Sequence, residues 1–288
     1  MKRPRMFRPG PFAFMQIALP LVCCAMPRVL RFLSFFILFI PALVLAAPPD
    51  TLPEGGRGGV ATVVDGDTLR LLGGDADVRL VGIQAPKLPL GRAGFKAWPL
   101  SDRSQKTLDD MVKGHSVVLR LGATPRDRNG RILAHIVRDD GLWIQAEMLR
   151  QGMARVYTFA DNRQLAPELY AAEREARTAK RGIWADAFYA VRSVDPDVLA
   201  KDAGTFQLVT GKVANTAKVR GRVYINFGAD YRTDFTVAIA PEALPQFTKS
   251  GLDPLSLKDK TIRVRGYLRN YNGPLIELTY PEQLELDP

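Results

Sequence analysis

The run VVDGDTLRLL (residues 63–72), followed closely by RLVGIQAPK (residues 79–87), decides how this chain folds and what it can do. Asp65 and Asp67 flank a glycine at the end of a β-like alternation, with the Thr68 hydroxyl next. Alternation puts both carboxylates on one side, where they could share a hard cation through oxygen. The plainer reading is a polar turn that satisfies its own backbone. Outward from this stretch the hydrophobic period stays near two. VATVVDGDTLRLL and ADVRLVGIQ bracket the turn GGDAD, a hairpin signal, and SVVLRLG and ILAHIVRDDGLWI continue the pattern across the polar loop ATPRDRNGR. Two helical patterns follow. WIQAEMLRQG stops at Gly152, and NRQLAPELYAAEREARTAKRG stops at Gly182 with Leu165, Leu169, Ala172 and Ala176 on one face. An earlier segment, residues 94–114, carries Leu100, Thr107, Leu108 and Met111 at mixed helical spacing, interrupted by Pro99. The first module thus has about five strands plus helices and ends near Trp184.

The chain has 288 residues, enough for one large domain or two ordinary ones, and 47% of them are hydrophobic. Its formal charge of +10 is concentrated at the start: residues 1–46 hold six basic residues and no acid, leaving 34 basic against 30 acidic residues. That is a mild excess, compatible with a polyanionic partner but weak as an argument for one. Arg28 and Arg31 precede an apolar run from Phe32 to Leu45, and Val44-Leu45-Ala46 fits a small-x-small cleavage site. The run is short for a membrane span, which needs about 20 apolar residues. It reads as a signal peptide over residues 1–46, with Met26 as an alternative start. Export to the periplasm or medium follows, without stable membrane insertion after cleavage; an uncleaved anchor is the minor alternative. The only cysteines, Cys23 and Cys24, fall in this leader, so the mature chain has no disulfide framework, thiol nucleophile or zinc-thiolate site.

Five segments occur in order: VVDGDTLRL, VRLVGIQAP, DRNGRILAHI, MLRQGMARVYTF and AEREARTAKRGIW. Over residues 60–184 this series is similar to the thermonuclease family of staphylococcal-nuclease-like domains. The resemblance implies an OB-type five-stranded barrel with three helices, and calcium-assisted cleavage of DNA and RNA. Asp67 matches a calcium-binding carboxylate of the family, with Asp65 as a possible second ligand. Arg79 matches an arginine that holds the scissile phosphate. Arg131 matches a second phosphate arginine, in a loop opened by Asp127. Two guanidiniums can fork onto one phosphate and stabilise the extra negative charge of a five-coordinate transition state.

Gln84 and Lys87 depart from that pattern. The family has Asp and Glu there, the first helping to bind calcium and the second serving the attacking water. Gln84 offers a neutral carbonyl oxygen, and Lys87 brings an ammonium where the family has a base. Relative to the family, the two replacements shift the pocket's charge by +3, by removing two carboxylates and adding one ammonium, and the pocket then favours anions over cations. Arg79, Lys87 and Arg131 become a coherent phosphate clamp. Three readings stand: a binder with phosphodiesterase activity weakened, altered or lost; an active endonuclease on DNA or RNA, calcium-assisted or by a variant mechanism; and a scaffold. His115 and His135 read as structural histidines, and Trp143 and Trp184 as core.

Beyond a linker or short helix at residues 191–204, the stretches FQLVTGKVANTAKV, RVYINFG, DFTVAIA, PEALPQFTKSG, TIRVRGYLRNY and PLIELTY suit a second small OB-type barrel over residues 205–288. The whole is a β-rich α+β chain, with residues 47–59 as a Pro/Gly-rich linker and residues 60–190 as the thermonuclease-like domain. In the second barrel Ile262, Val264 and Leu268 alternate with Arg263, Arg265, Tyr267, Arg269 and Tyr271, and Arg222 and Tyr224 alternate with Val223 and Ile225. Arginines interleaved with tyrosines on an open sheet face suit single-stranded DNA or RNA, whose bases stack and whose phosphates pair. The plainer alternatives are a solvated face or one packed on the first module.

Overall fold

Gly55, Gly56, Gly58 and Gly59 give the start of the first strand no side chains to alternate, which is why the sequence reads there as a tether. In the computed structural model, which describes residues 49–288, β1 runs Glu54–Asp65 and its first half pairs antiparallel with β5, Ser116–Arg126. A Cβ at Gly55 would lie 2.4 Å from Cγ of Leu121, so the close approach of the two strands requires glycine there. The linker expected at residues 47–59 therefore belongs to the barrel from Glu54 onward. The expected signal peptide and both cysteines lie outside the described residues. Among the described residues no helix is long and apolar enough to cross a membrane.

The rest of the first module follows its alternation. The second half of β1 pairs with β2, Thr68–Leu71, which turns through the expected hairpin into β3, Asp77–Leu80. After the short β4, Gly82–Gln84, helix α1 spans Ser101–Val112, beginning just beyond Pro99. β5 then pairs with β6, Ile132–Arg138, which lies parallel to β3 and closes the barrel in the order β1-β2-β3-β6-β5. Helix α2, Ile144–Arg150, leads into β7, Arg155–Tyr157, which pairs with β4 outside the barrel. Helix α3, Ala166–Thr178, buries Leu169, Ala172 and Ala176, the expected stripe, and with them Glu173. Leu69, Leu80, Ile83, Leu108, Leu119, Ile136, Ile144, Leu149 and Leu169 share one core between barrel and helices. Trp143 is buried against it, and His135 meets its ring edge-on at 5.4 Å. His115 pairs with Asp139 at 2.8 Å, a structural role like that expected.

The second module repeats these pairings. Following helix α4, Pro196–Lys201, come β8, Phe206–Lys212, β9, Asn215–Val219, β10, Arg222–Asn226, and β11, Thr236–Ile239. Helix α5, Leu244–Lys249, then precedes β12, Thr261–Asn270, β13, Pro274–Leu278, and β14, Leu284–Leu286. β8 pairs with β12 and β9 with β10, so the run from β8 to β9 acts as one strand shared by both neighbours, as β1 does. β11 lies parallel to β13, as β3 does to β6, with α5 in the place of α1. Seven strands appear instead of five because the shared strand breaks at Val213 and Ala214 and because β14 adds an edge to β12. Three residues are too few to announce β14 by period.

A buried ionic network joins the modules. Arg265, 1% exposed, donates from Nη1 and Nη2 to the Glu173 carboxylate at 3.1 and 3.0 Å, and from Nη2 to Glu285. Arg177 bridges Glu173 and Glu285 at 3.1 and 2.8 Å, and the Val156 amide also donates to Glu173. Burial opposes the charge on Arg265, but Glu173 beside it more than restores it. The Tyr170 ring lies 4.3 Å from the same guanidinium.

Two stability predictions follow from these burials. Arg265→Met leaves the buried Glu173 with Arg177 and one amide and should cost about 2 kcal/mol in urea unfolding, below the ~3–5 of a fully broken buried pair; a loss below about 1 kcal/mol would remove the network from the fold's supports. His135, 2% exposed, is pushed by burial from its usual 6.5 down to about 4. The folded ring stays neutral while the unfolded one takes a proton below its usual value. Stability should therefore be fully present above pH 6.5 and fall as pH drops toward 4, by up to about 3 kcal/mol. His135→Met should flatten that slope in unfolding curves taken across the window.

Candidate functional site

Asp65 ends β1 and Asp67 sits in the turn to β2, where the strand register shifts. The turn satisfies itself as the plain reading expects: the Asp67 amide donates to Oδ1 of Asp65 at 3.1 Å. The glycine between them is dictated by packing, since a Cβ on Gly66 would lie 2.0 Å from Oγ of Ser104 on α1 and 2.7 Å from Cβ of Ala85. Helix, turn and the loop after β4 thus converge on one point, and the carboxylates are held there.

Asp67 is 0% exposed, and its carboxylate is enclosed by donors. Oδ2 accepts from the Ala85 amide at 2.7 Å. The Lys87 ammonium donates at 2.7 Å to both oxygens, and reaches Oδ2 of Asp65 at 3.3 Å. Nη1 of Arg79 lies 3.1 Å from Oδ1. Burial by itself would raise the Asp67 carboxyl, but Arg79 and Lys87 hold it well below the usual carboxylate range. Asp65 goes the other way, pushed up by burial and by the charge of Asp67.

The remaining candidates divide. Nη1 of Arg79 donates to the carbonyls of Asp67 and Leu80 at 3.0 and 2.9 Å, and Nη2 to that of Ile83 at 2.7 Å, so both terminal nitrogens hold the loop. Arg131 gives only Nε, to Asp127 at 2.7 Å; its terminal nitrogens have no protein partner among the described residues. Asp127 also accepts from the amides of Asn129 and Arg131 at 2.9 and 3.0 Å, fixing the loop that carries this arginine. Gln84 is turned away from Asp67: its amide oxygen accepts from Nε and Nη2 of Arg155 at 3.0 and 2.7 Å. Arg155 stands opposite Gln84 in the β4–β7 pair and lies 4.8 Å from the Phe206 ring of the second module. Nothing local in MARVYTF marks Arg155, because a three-residue strand has too little period to show its partner.

These groups border a cleft of about 720 Å³ whose walls include Asp65, Arg79, Lys87, Asp127, Arg131 and Tyr157. Arg92, Arg126 and Arg128 line it as well, giving six basic side chains against three acidic ones with Asp161. The calcium expected from the resemblance does not fit the donors in this arrangement. Calcium takes six to eight oxygens, whereas both Asp67 oxygens face an ammonium and Gln84 is engaged elsewhere. No group of three or more His, Cys, Asp or Glu among the described residues is placed to hold a metal. The site carries its own cation.

The face expected to be open on the second module is largely covered. Alternation does put Arg263, Arg265, Tyr267 and Arg269 on one side of β12, but that side packs on α3, where Glu173 awaits Arg265. Arg263 is half-buried at 3.4 Å from Glu285, Arg222 pairs with Glu277 at 2.8 Å, and Tyr224 is half-buried. Tyr267 and Arg269, at the far end, stay exposed. The structure does not join these residues into one open basic surface.

Lys87→Met should leave Asp67 with Arg79 and one amide, and cost about 2 kcal/mol, below the ~3–5 of a fully broken buried pair. Because the folded Asp67 carboxyl is depressed, that deficit should be complete above about pH 4, the unfolded value, and close as pH falls toward the folded one. Denaturant midpoints at pH 7 and in acid would show it; equal deficits at both would mean the ammonium does not act through Asp67.

The family model for staphylococcal nuclease homologues matches residues 77–186. A protein of Escherichia coli described as an uncharacterized endonuclease is 32% identical over 151 residues, covering 52% of this chain and 90% of its own length. A probable staphylococcal-like nuclease, CAN1, of Oryza sativa subsp. japonica is 35% identical over 108 residues, which are 38% of this chain and 28% of that protein. Endonuclease YhcR of Bacillus subtilis (strain 168) is 27% identical over 148 residues, 48% of this chain and 12% of that protein. A five-stranded barrel closed by a parallel pair, with Asp65, Arg79 and Arg131 around one basic cleft, agrees with that match, and the chain belongs to the staphylococcal nuclease family.

Proposed function

We propose that this protein grips nucleic-acid backbones in the basic cleft without calcium, and that the family's phosphodiesterase activity is weak, altered or lost in it. The observation that carries the reading is the Lys87 ammonium at 2.7 Å from both oxygens of Asp67. A divalent cation entering there would have to expel that ammonium and take its charge balance from Asp67 and Asp65 alone. The free fork of Arg131 suits a phosphate, and Arg92, Arg126 and Arg128 extend the positive wall to neighbouring phosphates. Arg79 supports the loop more than it faces the ligand. Export through the leader belongs to the same proposal, with residues 26–46 as its support, so the binding would take place in the periplasm or outside the cell.

A second reading keeps hydrolysis, with Asp65 taking the proton of the attacking water in place of the missing glutamate. Its motive is that Asp65 lines the cleft and has its proton affinity raised by burial. One assay separates the two. The purified protein, Arg131→Ala and the double variant Gln84→Asp with Lys87→Glu are incubated with denatured DNA and with RNA, in calcium and in chelator. The proposal expects salt-sensitive, calcium-indifferent binding that falls at least about tenfold in Arg131→Ala, and calcium-dependent cutting by the double variant alone. Cutting by the natural chain, lost in Arg131→Ala and kept in chelator, would favour the second reading. No binding by any of them even at low salt would leave a scaffold.

A further inference from the structure

The cleft does not end at the first module. Tyr157 and Phe159, on its rim, also line a smaller groove of about 180 Å³ whose far wall is the second module, with Phe206, Tyr267 and Arg269. The rings meet edge to face: Tyr157 lies 4.9 Å from Phe159 and 4.9 Å from Phe206, and Phe206 lies 5.8 Å from Tyr267. The hydroxyls of Tyr157 and Tyr267 share a hydrogen bond of 2.9 Å, which fixes the two walls of the seam together. Phe206 is buried and serves as cement. Phe159 and Tyr267 are different, being 53% and 48% exposed although they sit in a packed seam.

Cement between modules has no need of two half-exposed rings beside a cleft lined by six cations. Aromatic faces next to a basic groove are what a single strand uses, since each base has a face to stack and each phosphate a charge to pair. A duplex keeps its bases stacked on each other and has no use for such rings. Arg269 stands beyond Tyr267 with its side chain 68% exposed and only a loose 3.4 Å contact to Glu277. The groove's own charge is balanced, because Glu277 lines it too, so stacking supplies what this stretch adds.

We infer that a single-stranded nucleic acid held by its phosphates in the first cleft continues across the seam between the modules, its bases stacked on Phe159 and Tyr267 and its backbone beside Arg269. This rests on the phosphate-binding reading above and moves the second module's share from the covered arginines of β12 to the seam. The second module then sets the substrate class: single strands longer than the first cleft alone would hold.

The test is binding of dye-labelled oligothymidylates, from dinucleotide to dodecamer, to the purified protein at one fixed salt concentration. Affinity should climb as the strand outgrows the first cleft and then level off. Tyr267→Leu and Phe159→Leu keep apolar volume and remove the stacking face, and thermal unfolding of each variant checks that the seam stays closed. Each should lower dodecamer affinity on the order of 5- to 100-fold and leave blunt-duplex affinity unchanged, and Tyr267→Leu, which lies outside the first cleft, should also leave dinucleotide affinity unchanged. Arg131→Ala should weaken every length alike. If dinucleotide and dodecamer bind equally, or if both folded leucine variants keep the full gain with length, the seam is no binding track and the inference is overturned while the phosphate reading stands. If no oligonucleotide binds at any length, the phosphate reading falls and takes this inference with it.

Discussion

The Asp67 carboxylate has no access to solvent, and the first module is arranged around keeping its charge satisfied. A buried carboxylate is costly unless donors and a counter-charge surround it. The Ala85 amide, the Arg79 guanidinium and the Lys87 ammonium supply both. Arg79 comes from β3 and the other two from the loop after β4, while Asp67 itself sits in the turn after β1, so one charge sets the mutual positions of three segments. Gly66 lets α1 close over the same point. Where a divalent cation would be one way to complete such a site, this chain uses a side chain. The Lys87 ammonium sits between the carboxylates of Asp65 and Asp67.

A second buried carboxylate does for the whole chain what Asp67 does for the first module. Glu173 sits on the apolar stripe of α3 and accepts from Arg265, Arg177 and the Val156 amide. Arg265 belongs to the second module and Val156 to β7, whose neighbouring residue Arg155 holds Gln84. Neighbouring residues of β7 thus serve both the contact between modules and the orientation of Gln84. The Tyr157–Tyr267 hydrogen bond joins the same two strands, β7 and β12, through their side chains. Such ionic seams are specific more than strong, because desolvating each charge offsets most of the attraction.

Legibility differed by kind of feature. The barrel strands, the hairpin at GGDAD and the stripe of α3 followed from period and turn residues, which are local properties, whereas the OB-type pairing order came only with the family resemblance. The start of β1 was hidden because glycines carry no pattern, and β4, β7 and β14 because three residues are shorter than any period. Asp67, Lys87 and Gln84 were recognisable as a departure from a familiar site, yet their partners were not. That Lys87 would seat on Asp67, and that Gln84 would turn to Arg155, depends on segments about 20 and 71 residues apart in sequence.

By itself the sequence determined which faces of each strand are apolar, where the chain turns, and that an amide and an ammonium, Gln84 and Lys87, stand close after Asp65 and Asp67. Those facts depend on side-chain chemistry and on periods of two and 3.6. Only the tertiary structure decided which charges meet. It buried Arg265 against Glu173 while leaving Tyr267 and Arg269 on the same strand exposed, since alternation assigns a residue to a face and packing between modules decides whether that face sees water. It also gave Arg79 to backbone carbonyls and left the fork of Arg131 free, a difference between two arginines that no local pattern carries.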